Sequence, residues 1–268
     1  MPDVPPQIDE PTPEEVAAQT STSDDTIAWL LDRSKRKSRS VPIANAFLQQ
    51  GRGAVRVPGP LHRFVQKHDE RALDLYLLTH AVATKAPYDI TEAAAVWARV
   101  LNLGPTTSAK TAVSKGFARL ERLGLVSRDK DGKSARITLR ADDGEGGVYV
   151  HPNKAGAQYL KLPYEYWTEH WHRRLELHAK AVLLIALSLP DGFPLPSEKA
   201  HPWYGISAKT FARGVSDLHA NGLINVRKVP KKAPGSPEGV TIENRYTLRP
   251  PFGPRGELAK GAPPECRT

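Results

Sequence analysis

The sequence predicts a mainly α fold with small β-hairpins, an α+β arrangement of two similar units in tandem with disordered termini. Three observations predict it. The order apolar helix, second helix, third helix, strand pair occurs twice along the middle of the 268-residue chain. The composition, 40% hydrophobic, suits folded domains, and the length has room for two modest cores. Many of the 24 Pro fall in the first sixty and last twenty residues, which sets loose ends around that middle.

Residues 1–24, rich in Pro, Glu, Thr and Ser, read as disordered, and DTIAWLLD (25–32) as a short amphipathic turn. Arg33, Lys35, Arg36, Lys37 and Arg39 then form a basic cluster, either an arm on phosphates or a solvated linker. The expected divisions are an acidic-then-basic arm at 1–40, a first unit at 41–145, a second at 146–250, and a flexible tail at 251–268.

Each unit opens on a short alternating segment ending in Pro, VRVP (55–58) and LKLP (160–163), which reads as a strand. An apolar helix follows a polar and aromatic stretch: Ala72–Ala83 in unit one, Leu177–Leu189 in unit two. In the second helix of unit one, Asp89 and Glu92 have the spacing of a capping box, and Asn102–Gly104 supply the turn. In unit two Ser197 is the expected N-cap, Pro202 is expected to cut the helix short, and Gly205 makes the turn. The third helices, Thr107–Val126 and Gly205–Ile224, align at a shift of 98. Val113, Phe117 and Leu120 then fall on Phe211, Val215 and Leu218, the buried stripe of an amphipathic helix. Ser207 has the N-cap place, with Ile206 and Phe211 spaced as a hydrophobic staple. The SAKT strings are out by one residue in this alignment, so the helix starts are expected to differ by one. Gly124 and Gly222 close these helices in a left-handed conformation. The hairpins read as LVSR, loop DKDGKSA, ARITLR, and as LINVRKV, loop PKKAPGSPEG, ENRYTLR. Their endings match at a shift of 109, so the second loop is expected to be 11 residues longer.

Three helices followed by a hairpin, with Gly205-Ile206-Ser207, Thr210, Leu218 and Gly222-Leu223-Ile224 at their present spacing, resembles the winged helix-turn-helix superfamily found in many bacterial regulators. Two such units in one chain also resemble plasmid and phage replication initiators. The resemblance covers roughly residues 55–250. It implies that the third helix of each unit lies in the major groove of DNA and that the hairpin acts as a wing.

Charge agrees with that expectation. The chain carries +9, yet residues 1–32 hold eight of the 29 acidic residues and no Lys or Arg, leaving +17 on the remainder. That asymmetry suggests a polyanion partner, or else a merely basic, soluble surface. The candidate DNA contacts on the third helix of unit one are Ser108, Lys110, Thr111, Ser114, Lys115 and Arg119. On unit two they are Ser207, Lys209, Thr210 and Arg213. The hairpins add Lys133 and Arg136, and Arg227, Lys228, Lys231 and Lys232; hydroxyls and cations suit phosphate oxygens and guanine acceptors.

Other chemistries find little footing. One cysteine, Cys266, excludes an internal disulfide, and no Cys/His zinc spacing occurs. No run is apolar enough to span a membrane and no secretory leader is read, so a cytoplasmic, nucleoid-associated place is expected. His170-Trp171-His172 has the His–apolar–His pattern of rolling-circle nucleases, but YEYWTEHWHRRLELH (164–178) reads as helix, which would separate the imidazoles. An aromatic patch covering the sheet or bundle is expected there instead. No phosphate-binding glycine loop appears, and DDGEGGVY (142–149) reads as a linker. No cofactor, metal or catalytic residue is expected. The expected partner is double-stranded DNA, with transcription control or replication initiation as the role. A winged-helix protein–protein module is a further class. The connecting segments offer apolar residues for a homodimer. The acidic tail offers a surface for a protein partner, or for folding back on the basic body.

Overall fold

The computed structural model describes residues 12, 20–51, 53, 55–132, 134–195 and 197–254. It opens on helix α1 (Ser23–Arg33), which begins with a reciprocal Thr22–Asp25 capping box and buries Ile27, Leu30 and Leu31. The expected disordered arm is corrected from Thr22 onward, because the apolar stripe of this helix has a core to enter. The basic cluster is drawn in with it. Arg33 pairs with Glu92, Arg36 Nη2 donates to the His80 carbonyl at 2.9 Å, and the Arg39 guanidinium lies over the Tyr164 ring.

Strand β1 (Ser40–Ala44) follows, then the two-residue strands β2 (Gln49–Gln50) and β3 (Val57–Pro58), which pair with each other. The expected VRVP strand thus shrinks to its last two residues. Unit one continues with α2 (Leu61–Gln66), α3 (Glu70–Val82), β4 (Asp89–Glu92), α4 (Ala94–Val100), α5 (Thr107–Arg122), β5 (Val126–Asp131) and β6 (Ser134–Leu139). Asp89 and Glu92 are therefore not a capping box. They flank buried Ile90 in a strand whose partners run from Thr138 to Ala135, and the helix starts only at Ala94. A connecting stretch holds α6 (Pro152–Ala155), β7 (Tyr159–Pro163), α7 (Glu165–Thr168) and α8 (Trp171–Arg174). Unit two has α9 (Leu177–Leu187), β8 (Phe193–Pro194), α10 (Ser197–Tyr204), α11 (Ala208–Ala220), β9 (Ile224–Lys232) and β10 (Val240–Leu248). Pro202 sits inside α10 and does not end it. In so short a helix a proline removes a single intrahelical bond.

The element order from α3 to β6 is repeated from α9 to β10. The sheets repeat too: β4-β6-β5 in unit one, β8-β10-β9 in unit two. Gly124 and Gly222 both end the third helix with positive φ, +68° and +71°. A second glycine pair obeys the same shift of 98. Gly116 of α5 packs on α3, where an added Cβ would lie 2.7 Å from Leu75 Cδ1. Gly214 of α11 packs on α9, where it would lie 2.5 Å from Val182 Cγ2 and 2.6 Å from the His178 carbonyl oxygen.

The units are joined rather than merely linked. Strand β1 runs antiparallel to β7, from Ser40 opposite Pro163 to Ala44 opposite Tyr159. One buried cluster runs through both units. Across it, Lys180 of α9, 1% exposed, reaches back to α3 and meets Asp74 Oδ1 and Glu70 Oε1, each at 2.8 Å. Desolvation pushes the Asp74 carboxyl up to about 6, against the pull of Lys180. The expected linker at 142–149 is anchored as well: Asp142 accepts from Tyr76 Oη at 2.8 Å and from the Ala44 amide at 2.7 Å. The flexible tail is corrected at its start, where Phe252 is buried with its ring against Trp171. Cys266 and the rest of that tail lie outside the described residues, as do most of the first nineteen.

Candidate nucleic-acid interface

Helix α5 is begun by Thr106, whose Oγ1 accepts from the Ala109 amide at 3.1 Å. The corresponding residue for α11 is Ser207, accepting from the Thr210 amide at 3.1 Å, with Ile206 and Phe211 buried as the staple requires. At the shift of 98 the two starts differ by three residues, not one, so α5 carries nearly one extra turn at its N-terminal end. Both helices bury one stripe and expose the other. Ser108, Lys110, Thr111, Ser114 and Lys115 are exposed on α5, and Lys209 and Arg213 on α11. Some hydroxyls are occupied locally: Thr111 Oγ1 donates to the Thr107 carbonyl at 3.0 Å, and Thr210 Oγ1 and Ser207 Oγ are 2.9 Å apart. Lys110, Lys115 and Lys209 have no carboxylate within ion-pair reach among the described residues, and Arg213 has only Glu176, at 3.8 Å.

Two of the sequence candidates in unit one are already matched. Arg119 is half-buried and grips Asp69, Nη2 to Oδ1 at 2.8 Å. Arg136 pairs with Asp131 at 2.8 Å and faces Asp89 at 3.7 Å. Hydrogen bonds from Arg136 and Thr91 hold the Asp131 carboxyl below its ordinary range. Neither arginine stands free for a phosphate. Lys133 lies outside the described residues. Its hairpin turns tightly, with Asp131 opposite Ser134 and Gly132 at φ +59°, so most of the expected DKDGKSA loop is strand.

The hairpin of unit two is the larger element. Its strands have nine residues each against six, and its loop seven against two, so the eleven extra residues lengthen the ladder as well as the loop. Nine residues extend about 30 Å. Only the base is buried, at Ile224, Tyr246 and Leu248. Strand alternation sends Lys228 and Lys232 to the Tyr246 side, with exposed Ile242, and Arg227 and Lys231 to the other. Lys231 pairs with Glu243 at 2.9 Å, and that bond, with Arg245 nearby, lowers the Glu243 carboxyl. Arg227, Lys228 and Lys232 are exposed and carry no ion pair among the described residues.

His170 takes a left-handed conformation between α7 and α8, while His172 is buried with Nδ1 3.3 Å from the Tyr166 carbonyl oxygen. Their side chains do not share a face. Among the described residues no three His, Cys, Asp or Glu side chains group as a metal would need, and no helix is long and apolar enough to cross a membrane.

Four cations escaped the sequence reading. Arg63 and Lys67 of the α2 end, Arg71 of α3 and Arg122 of α5 surround one basin. No periodic signal marks them, since they come from three elements that meet only in the fold. No family model, curated protein or solved structure matches the chain.

Proposed function

We propose that the chain binds double-stranded DNA through two winged-helix units, with α5 and α11 as recognition helices, and acts as a transcriptional regulator. One observation carries the reading. The same order of helices and strands, with the same sheet order, occurs twice. The outward face of the third helix holds cations without a carboxylate in ion-pair reach among the described residues, Lys110 and Lys115 in unit one and Lys209 in unit two, where Arg213 stands 3.8 Å from Glu176. A helix of this width fits the major groove, and lysines there meet phosphates or guanine acceptors. The long hairpin of unit two supplies further cations for the backbone or minor groove.

The shared core favours a site of fixed spacing. The β1–β7 ladder and the Lys180–Asp74 pair tie the units together, so half-sites about one helical turn, ~34 Å, apart are expected. The faces differ in sequence, so the two halves need not be palindromic. Replication initiation is the second reading, favoured by the same fusion of two units.

Selection from a genomic fragment library tests the proposal. One motif should be enriched, its affinity should fall steeply with salt, and Lys209→Ala/Arg213→Ala should weaken it by about tenfold or more. Enriched fragments at promoters support regulation, and repeated sites beside an origin support initiation. No enrichment, with the variant binding like wild type, would remove the groove-reading model and leave a protein-interaction module.

A further inference from the structure

We propose that the basin between the α2–α3 turn and the end of α5 binds a small polyphosphate anion, at a site separate from the faces assigned to DNA. The basin has a volume of about 810 Å³, within the range of small-molecule sites. Its rim carries Arg63, Lys67, Arg71 and Arg122, all exposed, and none has a carboxylate within ion-pair distance among the described residues. The two carboxylates in the wall are already paired, Asp69 with Arg119 of the same wall and Glu70 with Lys180 behind it. Four uncompensated cations therefore converge on one concavity, where a multivalent anion would relieve their repulsion.

Two features of the backbone agree. His68 takes φ +51°, which folds the chain sharply between α2 and α3 and brings Arg63 and Lys67 beside Arg71. The first-turn amides of α3, at Glu70 and Arg71, have no acceptor within the helix. Asp69 caps only the Ala72 amide.

The wall also states what the ligand lacks. Its one phenyl ring, Phe64, is 1% exposed, and the only exposed ring among the lining residues is the His68 imidazole. No exposed Trp, Tyr or Phe lines the basin for a base to stack on, so recognition falls chiefly on phosphate oxygens, to which three guanidiniums offer paired donors. Inorganic tripolyphosphate and ATP should then bind alike.

Calorimetric titration of the full chain with tripolyphosphate, without DNA, tests this at 150 mM salt. Expected are one saturable site with a Kd of about 1–100 μM, ATP within about threefold of it, and a loss of about thirtyfold or more in Arg71→Glu/Arg122→Glu. Both positions are exposed, and an unchanged thermal midpoint without ligand will show that the variant folds. The variant should hold its selected duplex within about threefold of wild type. No saturation by 1 mM, or a variant that binds tripolyphosphate like wild type, overturns the proposal. A variant that loses duplex and tripolyphosphate together also overturns it, since the basin would then be a backbone contact of the DNA path. The titration contains no DNA, so its failure leaves the DNA reading intact, and the reverse holds.

Discussion

Units one and two share an element order and a sheet order, yet they hold their charge differently. In unit one, Asp69, Glu121 and Asp131 sit beside Arg119, Arg128 and Arg136. Three guanidiniums near the third helix and hairpin are thus matched within the unit. In unit two the strands are half as long again, and Arg227, Lys228 and Lys232 line them unmatched. Topology decides where a cation stands, and a neighbour one strand or one turn away decides whether a partner can use it. Exposed pairs of this kind contribute only about 0–1 kcal/mol to stability. Their larger consequence is to remove positive charge from the field that an incoming polyanion meets.

The comparison can be broken most forcefully where the units join. Lys180→Met leaves the partly buried Asp74 carboxylate, 20% exposed, without its partner and should lower stability by about 2–4 kcal/mol in chemical denaturation, somewhat less than for a fully buried pair. Lys180→Met with Asp74→Leu removes both charges and should recover most of that loss. A single-variant loss below about 1 kcal/mol would mean that the β1–β7 ladder and apolar packing join the units without this pair.

The paired glycines sharpen the comparison next. Gly214→Ala would press a methyl on the His178 backbone, which cannot step aside, and should cost about 2 kcal/mol. Gly116→Ala meets only the end of the Leu75 side chain, and better helix propensity offsets that contact, so stability should stay within about 0.5 kcal/mol of wild type. Equal thermal midpoints for the two variants would contradict the different packing of the two third helices.

A smaller effect belongs to the segment leading into unit two. Burial, then the neighbouring Arg173, lowers the His172 imidazole to about 4. The unfolded chain takes up this proton first as pH falls, so the contribution is whole above the ordinary value of about 6.5 and is lost on the way down to 4. At pH 5 the loss should be about 1–2 kcal/mol, and His172→Gln should flatten the stability profile between pH 6.5 and 5. A profile unchanged by that substitution would show that another group sets it.

Much of this was legible in the sequence. The apolar periodicity of α3, α9, α5 and α11 locates all four helices, and Ser207 with its Ile206–Phe211 staple marks the start of α11 within one position. What was not legible depends on long-range pairing. Asp89–Glu92 has the spacing of a capping box but is a strand, because β6, forty-odd residues later, offers a ladder. Strand β1 escaped notice because its partner β7 is more than a hundred residues away. In the candidate interface, residue type and helical face identified Lys110, Lys115 and Lys209. They could not reveal that Asp69 and Asp131 hold Arg119 and Arg136, nor gather Arg63, Lys67, Arg71 and Arg122 around one basin.

The most direct test is the slope of log affinity against log salt for the selected duplex. Lys209→Gln/Lys228→Gln removes two unmatched cations of unit two and should reduce the magnitude of that slope by about 2. Arg119→Gln/Asp69→Asn removes a matched pair of unit one and should change it by less than about 0.5. That result would support a DNA surface built from the unmatched cations. A slope unmoved by the first variant, or reduced as far by the second, would contradict it.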